Sequence, residues 1–419
     1  MYLAKKVLKC TVFYRDVIWD AYVYAFMLEF NKIKKDCTGC FACYSKCPRQ
    51  CITMLEDEEG FLYPNLTFPE KCINCGLCEK VCPNINIRKY VNIEQKAYVA
   101  LTSNDNVWRQ SSSGGAFTEI CNAWGDDNTY IVGAAWDGLY VHHIGVLGVK
   151  NISSLCKSKY VSSNIENVYK EIREQLKNNK VIFCGTPCQV SGLRAYLNKD
   201  YQNLLTIDLI CHGVGSPKVF RSCIDVINKQ ENDNLEQYCF RAKRKYHEMD
   251  YLSKLVFSTK TKYVINDQYM QLFLRQLCHR PSCGHNCKYR GRQNRQGDFT
   301  IADFKGMKYV LPQLCGSKKN YSTIVVNSSK ALHLISILQH YMEIHEVPLL
   351  SVVKYNSQFE KQSWIVSERD SFFSDYIKEP LNAITKWTTP FIEYKKSFKI
   401  RLFDVLPVPL RRLYLNFRK

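Results

Sequence analysis

Cys37-Thr-Gly-Cys40-Phe-Ala-Cys43-Tyr-Ser-Lys-Cys47-Pro48 is answered further along by Cys72-Ile-Asn-Cys75-Gly-Leu-Cys78-Glu-Lys-Val-Cys82-Pro83. Both stretches read C-x2-C-x2-C-x3-C-P. Two-residue gaps keep the first three sulfurs of a run on one concave loop, where they wrap three irons of a cube, and the fourth cysteine points at the other cube. The runs therefore cross-ligate. Cys37, Cys40, Cys43 and Cys82 are expected to hold one [4Fe-4S] cluster, and Cys72, Cys75, Cys78 and Cys47 the other. Zinc sites draw on two cysteine pairs rather than two quartets with proline after the fourth cysteine.

The two runs make residues 36–85 a two-cluster ferredoxin domain. Between them Cys51-Ile-Thr-Met-Leu55 reads as a strand, Glu56-Asp-Glu-Glu-Gly60 as a turn and Phe61-Leu-Tyr63 as the returning strand. Cys51 falls outside the ligand pattern and reads as a buried structural thiol.

The chain has 419 residues, 46% apolar and 23% charged, enough for a large core without disulfide staples. Its 21 cysteines therefore point to ligation, and ligand thiolates survive in a reducing compartment, which points to the cytoplasm. The formal charge of +19 first suggests nucleic acid or membrane. Each oxidised cube with four thiolates carries about −2, so three cubes would leave about +13. No nucleic-acid recognition module is present, and none is expected as a partner.

Residues 1–35 read as an N-terminal extension. Val17 to Phe30 is apolar but interrupted by Asp20 and Glu29, too short to span a bilayer and without a cleavage signature. An amphipathic helix packed on the cluster module is the expectation there, with a spurious upstream start as the alternative. After a polar linker at 86–95, strands and helices alternate. Strands are expected at 97–101, 130–135, 141–147, 180–184, 204–210 and 323–326. Helices are expected at 114–124, 165–176, 189–197, 217–228, 268–277 and 331–340, and a basic antiparallel insert at 238–264. The fold class expected is an α+β ferredoxin-like N-terminal module followed by a mixed α/β flavin-binding domain. That second domain spans 96–345, and a less regular C-terminal extension runs over 346–419. The extension ends in a basic, aromatic tail from Leu402, disordered or packed, with peripheral contact to an anionic membrane as the alternative.

Four further cysteines sit in suggestive places. Cys188 follows Gly185-Thr-Pro187 at a strand end, Cys211 ends the next buried strand, and Cys283 and Cys287 share one loop. Strand ends of an α/β sheet converge on one edge. These cysteines read either as a third metal site or as buried structural thiols. Ser111-Ser-Ser-Gly-Gly115 before a helix reads either as a phosphate-binding turn or simply as a helix start. His142 and His143 lie in a strand and point to opposite faces, so they are taken as structural rather than as a metal pair.

In chain order, Ser112-Ser-Gly-Gly-Ala-Phe-Thr118, Lys157-Ser-Lys-Tyr160, Phe183-Cys-Gly-Thr-Pro-Cys-Gln-Val190, Ile210-Cys-His-Gly213, Cys283 to Cys287, and Asp298-Phe-Thr-Ile-Ala-Asp-Phe304 resemble the coenzyme F-420 (deazaflavin) hydrogenase/dehydrogenase beta-subunit family. The resemblance covers about residues 36–340, and is strongest to members with an N-terminal double-cluster domain. It implies a third [4Fe-4S] cluster on Cys188, Cys211, Cys283 and Cys287. It also implies a flavin, FAD, beside Ser113, Gly114, Gly115, Thr118, Lys157, Lys159 and Tyr160. The family pair is C-x2-C, whereas Cys283 and Cys287 enclose Gly284, His285 and Asn286. Gly284 absorbs the extra residue, or His285 ligates, or the cluster is lost; Cys184 and Cys278 lie nearby as alternative ligands.

The activity implied is that of an iron–sulfur flavoprotein oxidoreductase. Clusters pass single electrons, and the flavin exchanges hydride with a deazaflavin coenzyme or another small molecule. Bacterial relatives near polysaccharide-biosynthesis functions extend that substrate to a sugar. The partners implied are a redox protein (a ferredoxin or a dehydrogenase subunit) and the small-molecule hydride donor or acceptor. The rival reading is an electron-transfer subunit of a larger complex, without a substrate site of its own. No residue of the sequence names itself as a catalytic acid.

Overall fold

The computed structural model describes residues 34–91, 93–243, 251–285, 287–361, 366–394, 406–407 and 409–411. The apolar stretch expected as an N-terminal helix and most of the basic tail lie outside the described residues.

In the N-terminal module, strands β1 (Ile52–Glu56) and β2 (Leu62–Leu66) pair antiparallel, Ile52 facing Leu66 and Glu56 facing Leu62. Asp57 closes the turn by accepting from the Phe61 amide at 2.9 Å. Cys51 is buried, and its amide donates to Cys47 Sγ at 3.3 Å.

The larger part is built on an eight-stranded mixed sheet. Its strands are β3 (Lys96–Thr102), β4 (Tyr130–Asp137), β5 (Tyr140–Leu147), β6 (Val181–Cys184), β7 (Leu204–Leu209), β11 (Phe299–Asp303), β12 (Ser322–Val326) and β13 (Met342–Val347). They lie in the order β13-β3-β12-β11-β7-β6-β4-β5, and β11, β7, β6 and β4 run parallel. These central strands are short apolar runs buried on both faces, as a parallel sheet covered by helices requires. One face packs on the helices Ala116–Trp124 and Ile335–Leu338, the other on Val168–Gln175 and Pro187–Leu197. Asp298 enters β11 by accepting from Thr206 N (2.9 Å), Thr206 Oγ1 (2.7 Å), Ser328 Oγ (2.7 Å) and Arg194 Nη2 (3.2 Å). The carboxylate of the Asp298–Phe304 motif is thus a strut between strands.

The expected basic insert is a second, antiparallel sheet: β8 (Leu235–Cys239), β9 (Ser253–Phe257), β10 (Thr261–Ile265) and β14 (Ile392–Glu393), in the order β14-β10-β9-β8. Its residues 244–250 lie outside the described set. The expected helix at 331–340 is two short ones, Ser329–His333 and Ile335–Leu338. Beyond residue 350 the chain is more regular than its sequence indicated. Helices Glu368–Lys378 and Pro380–Trp387 bury Phe372, Phe373, Tyr376 and Ile384 in one core cluster with the helix Pro217–Glu231 and with Phe61 and Tyr63 of the module.

The module is fastened to the large sheet at both ends. Phe41, Ala42 and Val81 share a core cluster with Val190 and Leu193 of the helix Pro187–Leu197. That helix carries Gly192, whose missing Cβ would lie 3.0 Å from Cys40 Cβ and 3.1 Å from Cys40 O, so any side chain there would crowd the inner loop. On the other side the Arg369 guanidinium forms a two-point ion pair with Glu59, and Arg280 Nε donates to Cys37 O at 2.8 Å.

Candidate iron–sulfur and cofactor site

The two sequence quartets sort in space as their spacing requires. Cys47, Cys72, Cys75 and Cys78 line one small cavity, with Cys75 exposed at the surface. Cys37, Cys40, Cys43 and Cys82 form the inner group. Burial pushes the Cys40 thiol up to about 12, and Cys82 and Cys37 add to the push. Cys43 is raised in the same way by burial and then by Cys40, Cys37 and Cys82. Four thiols that repel one another's charge in a buried space are a site for positive charge. Among the described residues no three ligating side chains converge on one point, as a lone ion would need. A cube instead takes one thiolate on each of its four irons.

The four scattered cysteines also come together. Cys188, Cys211, Cys283 and Cys287 line a single cavity of about 30 Å³, with Thr38, Ser282, Arg290 and Arg295 completing its wall. The chain brings them there from three places. Cys188 stands in the first turn of Pro187–Leu197, opened by a capping box between Thr186 and Gln189. Cys211 follows β7, and the other two come from the loop around Pro281–His285. Burial pushes the Cys188 thiol up to about 12, reinforced by Cys211 and Cys287. Cys184 lines a different pocket and Cys278 is buried in the core, so neither alternative cysteine is a wall of this cavity. Asn286 and the side chain of His285 lie outside the described residues.

The same cavity contains an excess of buried donors. Ser282 Oγ, Arg290 Nε and Arg295 Nε have no hydrogen-bond partner among the described residues. Buried polar atoms are rarely left unpaired. Here three free donors face four thiols, a donor set suited to the sulfides and thiolates of a negatively charged cluster.

On the far side of Cys211 lies a pocket of about 310 Å³, which shares Cys211, Gly213 and Val214 with the cysteine cavity. It opens at the C-terminal ends of β6, β7 and β11, where ligands of α/β sheets collect. Of the residues expected around a flavin, Ser113, Gly115, Thr118, Lys157, Lys159 and Tyr160 all line it. Gly114 does not. It is pressed against the sheet, where an added Cβ would sit 2.4 Å from Ala100 O. Its amide donates to Ser322 Oγ at 2.8 Å. That close approach, with Gly115 at φ +95°, turns the chain so that the first turn of Ala116–Trp124 faces the pocket.

Charge in the pocket is mostly positive. Lys157, Lys159 and Lys305 line it, and the Asp303 carboxylate is paired with buried Arg241 at 2.7 Å. Burial holds the Lys159 ammonium at about 8. Its Nζ donates to Cys156 O at 2.7 Å and Ser154 O at 3.1 Å. Lys243, kept at about 6 by burial, donates to Ser113 O at 2.6 Å and so pins the serine–glycine loop. His142 and His143 do face opposite ways. His142 pairs with Glu166 at 3.7 Å, whereas His143 is buried and lines the pocket. Burial drops His143 to about 4, its Nδ1 meets Ser163 Oγ at 2.9 Å, and its ring stacks on Phe183. Sequence reasoning missed His143 as a pocket residue, and Arg241 and Lys243 as the side chains that hold pocket residues Tyr160, Asp303 and Ser113 from behind. The alternation of β5 held a signal for the first, and nothing local marked the other two.

Comparison with known proteins now identifies the domains. Residues 178–350 match the C-terminal model of the coenzyme F420 hydrogenase/dehydrogenase beta subunit, and residues 36–85 match the 4Fe-4S dicluster domain. The chain carries a C-terminal domain of the coenzyme F420 hydrogenase/dehydrogenase beta subunit joined to a 4Fe-4S dicluster domain. The family's C-terminal domain spans Cys188, Cys211, Cys283 and Cys287, while Ser111 to Tyr160 falls between the two matched segments. Among solved structures, a chain from a xenon derivative of the F420-reducing [NiFe] hydrogenase complex of Methanosarcina barkeri is similar. It shows 16% identity over 71% of this chain and 91% of that one, with a TM-score of 0.41. A search of curated proteins finds no match. No helix among the described residues is long and apolar enough to cross a membrane.

Proposed function

We propose that this F420 hydrogenase/dehydrogenase beta-subunit relative is an iron–sulfur flavoprotein oxidoreductase of the cytoplasm, with three [4Fe-4S] clusters in line and FAD in the 310 Å³ pocket. The observation that carries the reading is Cys211, a wall of both the third cysteine cavity and that pocket. The outer quartet, with exposed Cys75, supports electron exchange with a redox partner protein, a ferredoxin or a dehydrogenase subunit. The inner quartet touches the helix that bears Cys188. A flavin in the pocket supplies the coupling between one-electron cluster chemistry and two-electron hydride chemistry. This chain's residues bind and orient it. The amides at the start of Ala116–Trp124 and the Lys157 and Lys159 ammoniums suit a pyrophosphate or a reduced anionic ring. His143, kept neutral, stabilises the pocket wall through Ser163. The hydride donor or acceptor is a deazaflavin coenzyme or another small molecule, a sugar of polysaccharide biosynthesis among them, and the positive pocket favours an anionic one. A pocket of this size favours a ligand of the chain's own over the role of a mere electron-transfer subunit.

Anaerobic purification with iron, sulfide and flavin quantified per chain tests this. About twelve irons and one flavin are expected for three cubes and FAD. About eight irons without flavin overturn the pocket half of the reading.

A further inference from the structure

Given the third cluster proposed above, we infer that it is the high-potential end of the cluster chain, set there by Arg290 and Arg295, so that electrons entering at the outer quartet run inward to the pocket. A [4Fe-4S] cube on four thiolates goes from about −2 to −3 on reduction, so neighbouring positive charge and donors to its sulfurs favour the reduced form, and burial disfavours it. The three sites differ in these terms.

The outer quartet is the most exposed, and its cavity wall carries one charge of each sign, the Arg49 guanidinium and the Glu79 carboxylate beside Cys78. The inner quartet has two cations beside it, half-buried Lys288 near Cys82, whose Nζ donates to Asn84 O at 2.7 Å, and buried Arg280. Arg280 Nη2 lies 3.9 Å from Cys37 Sγ, and the rest of that guanidinium is spent on Cys37 O and Leu62 O. The third cavity is walled by two guanidiniums, 7% and 1% exposed, in no ion pair among the described residues. Arg290 Nη1 and Nη2 bind the carbonyls of Lys361 and His212, and Arg295 Nη1 and Nη2 those of Leu209 and Tyr289. Each Nε remains free, as does the hydroxyl of Ser282. The nearest carboxylate, Asp208, accepts from Gln296 N, Gly297 N and Thr300 Oγ1, which disperses its charge into the backbone.

Inner and third sites are both buried and each has two cations beside it, so neither burial nor cation count separates them; the free donors of two buried guanidiniums and of Ser282 at the third cavity do. Each transfer oxidises the cluster it leaves by one electron and reduces the next by one. Two transfers deliver the pair that a two-electron cofactor takes up with a proton. The donor is a one-electron carrier of lower potential docked at Cys75.

The test is an anaerobic redox titration of the holoprotein followed by electron paramagnetic resonance. The third cluster's signal is assigned by its loss in Cys188→Ala. That signal is expected to appear first on stepwise reduction. Arg290→Gln should shift that couple alone, lowering its reduced-to-oxidised ratio at fixed potential about tenfold, or about 59 mV for one electron, and Arg290→Lys should restore most of it. Three signals with the Cys188-dependent one appearing last, or an Arg290→Gln couple that does not move, overturn the gradient while leaving three clusters in place. Absence of any Cys188-dependent signal overturns the third cluster and the gradient together.

Discussion

Burial holds the Lys159 ammonium at about 8, against an ordinary 10.5, in a pocket whose other cations are Lys157 and Lys305. Between about 8 and 10.5 the unfolded chain binds more protons at this residue than the folded one, so its cost to stability fades as pH rises through that window. Below about 8 the cost is full, and so is the charge available to an anionic ligand. FAD affinity is therefore expected to be level up to neutral pH and to weaken as pH rises past about 8. In Lys159→Met it should be about tenfold weaker, a loss of about 1.4 kcal/mol, and level across the same range. Flavin fluorescence titrations at several pH values check both. Residues of this kind were legible in part. The Lys157-Ser-Lys-Tyr160 run was readable because it resembles a family motif, whereas Arg241 and Lys243, just past β8, hold Tyr160 and Ser113 from a stretch whose own sequence is only basic.

Among elements, the helix Pro187–Leu197 does the most positioning. Its first turn carries Cys188, its Gly192 receives Cys40, and its Arg194 reaches Asp298 at the base of β11. Gly192→Val should overpack this contact, at a cost of about 1–3 kcal/mol. Anaerobic thermal melts should show the loss, with faster release of iron from the inner quartet. Of the parallel strands, β4, β6 and β7 were legible from short, mostly apolar runs bounded by turns, whereas β11, Phe-Thr-Ile-Ala-Asp, was read only as part of a motif. The split of the expected 331–340 helix was not. Its apolar residues repeat at helical spacing throughout, no proline or glycine stands at Leu334, and there the Leu334 amide donates three residues back, to Ala331 O at 3.1 Å.

At the scale of the molecule, the two cysteine runs made the cluster module and its cross-ligation readable in advance, because ligand spacing is a covalent constraint. The C-terminal helices were less so, since their apolar residues are few and their partners lie more than a hundred residues earlier. Phe372 is fully buried against that distant core. Phe372→Ala should therefore cost about 3–5 kcal/mol, read by denaturant unfolding under anaerobic conditions, although the residue belongs to no ligand run. The same long-range closure sets the module against the large sheet through Arg369 and Glu59, and so keeps the inner quartet beside Cys188.

The central claim is a continuous path from exposed Cys75 through three clusters to a flavin pocket. Stoichiometric reduction with dithionite, monitored in the visible spectrum, measures it directly. The account predicts uptake of about five electrons per chain, one for each cube and two for the flavin. Uptake that stops at about two electrons, with no flavin bleaching, would contradict it.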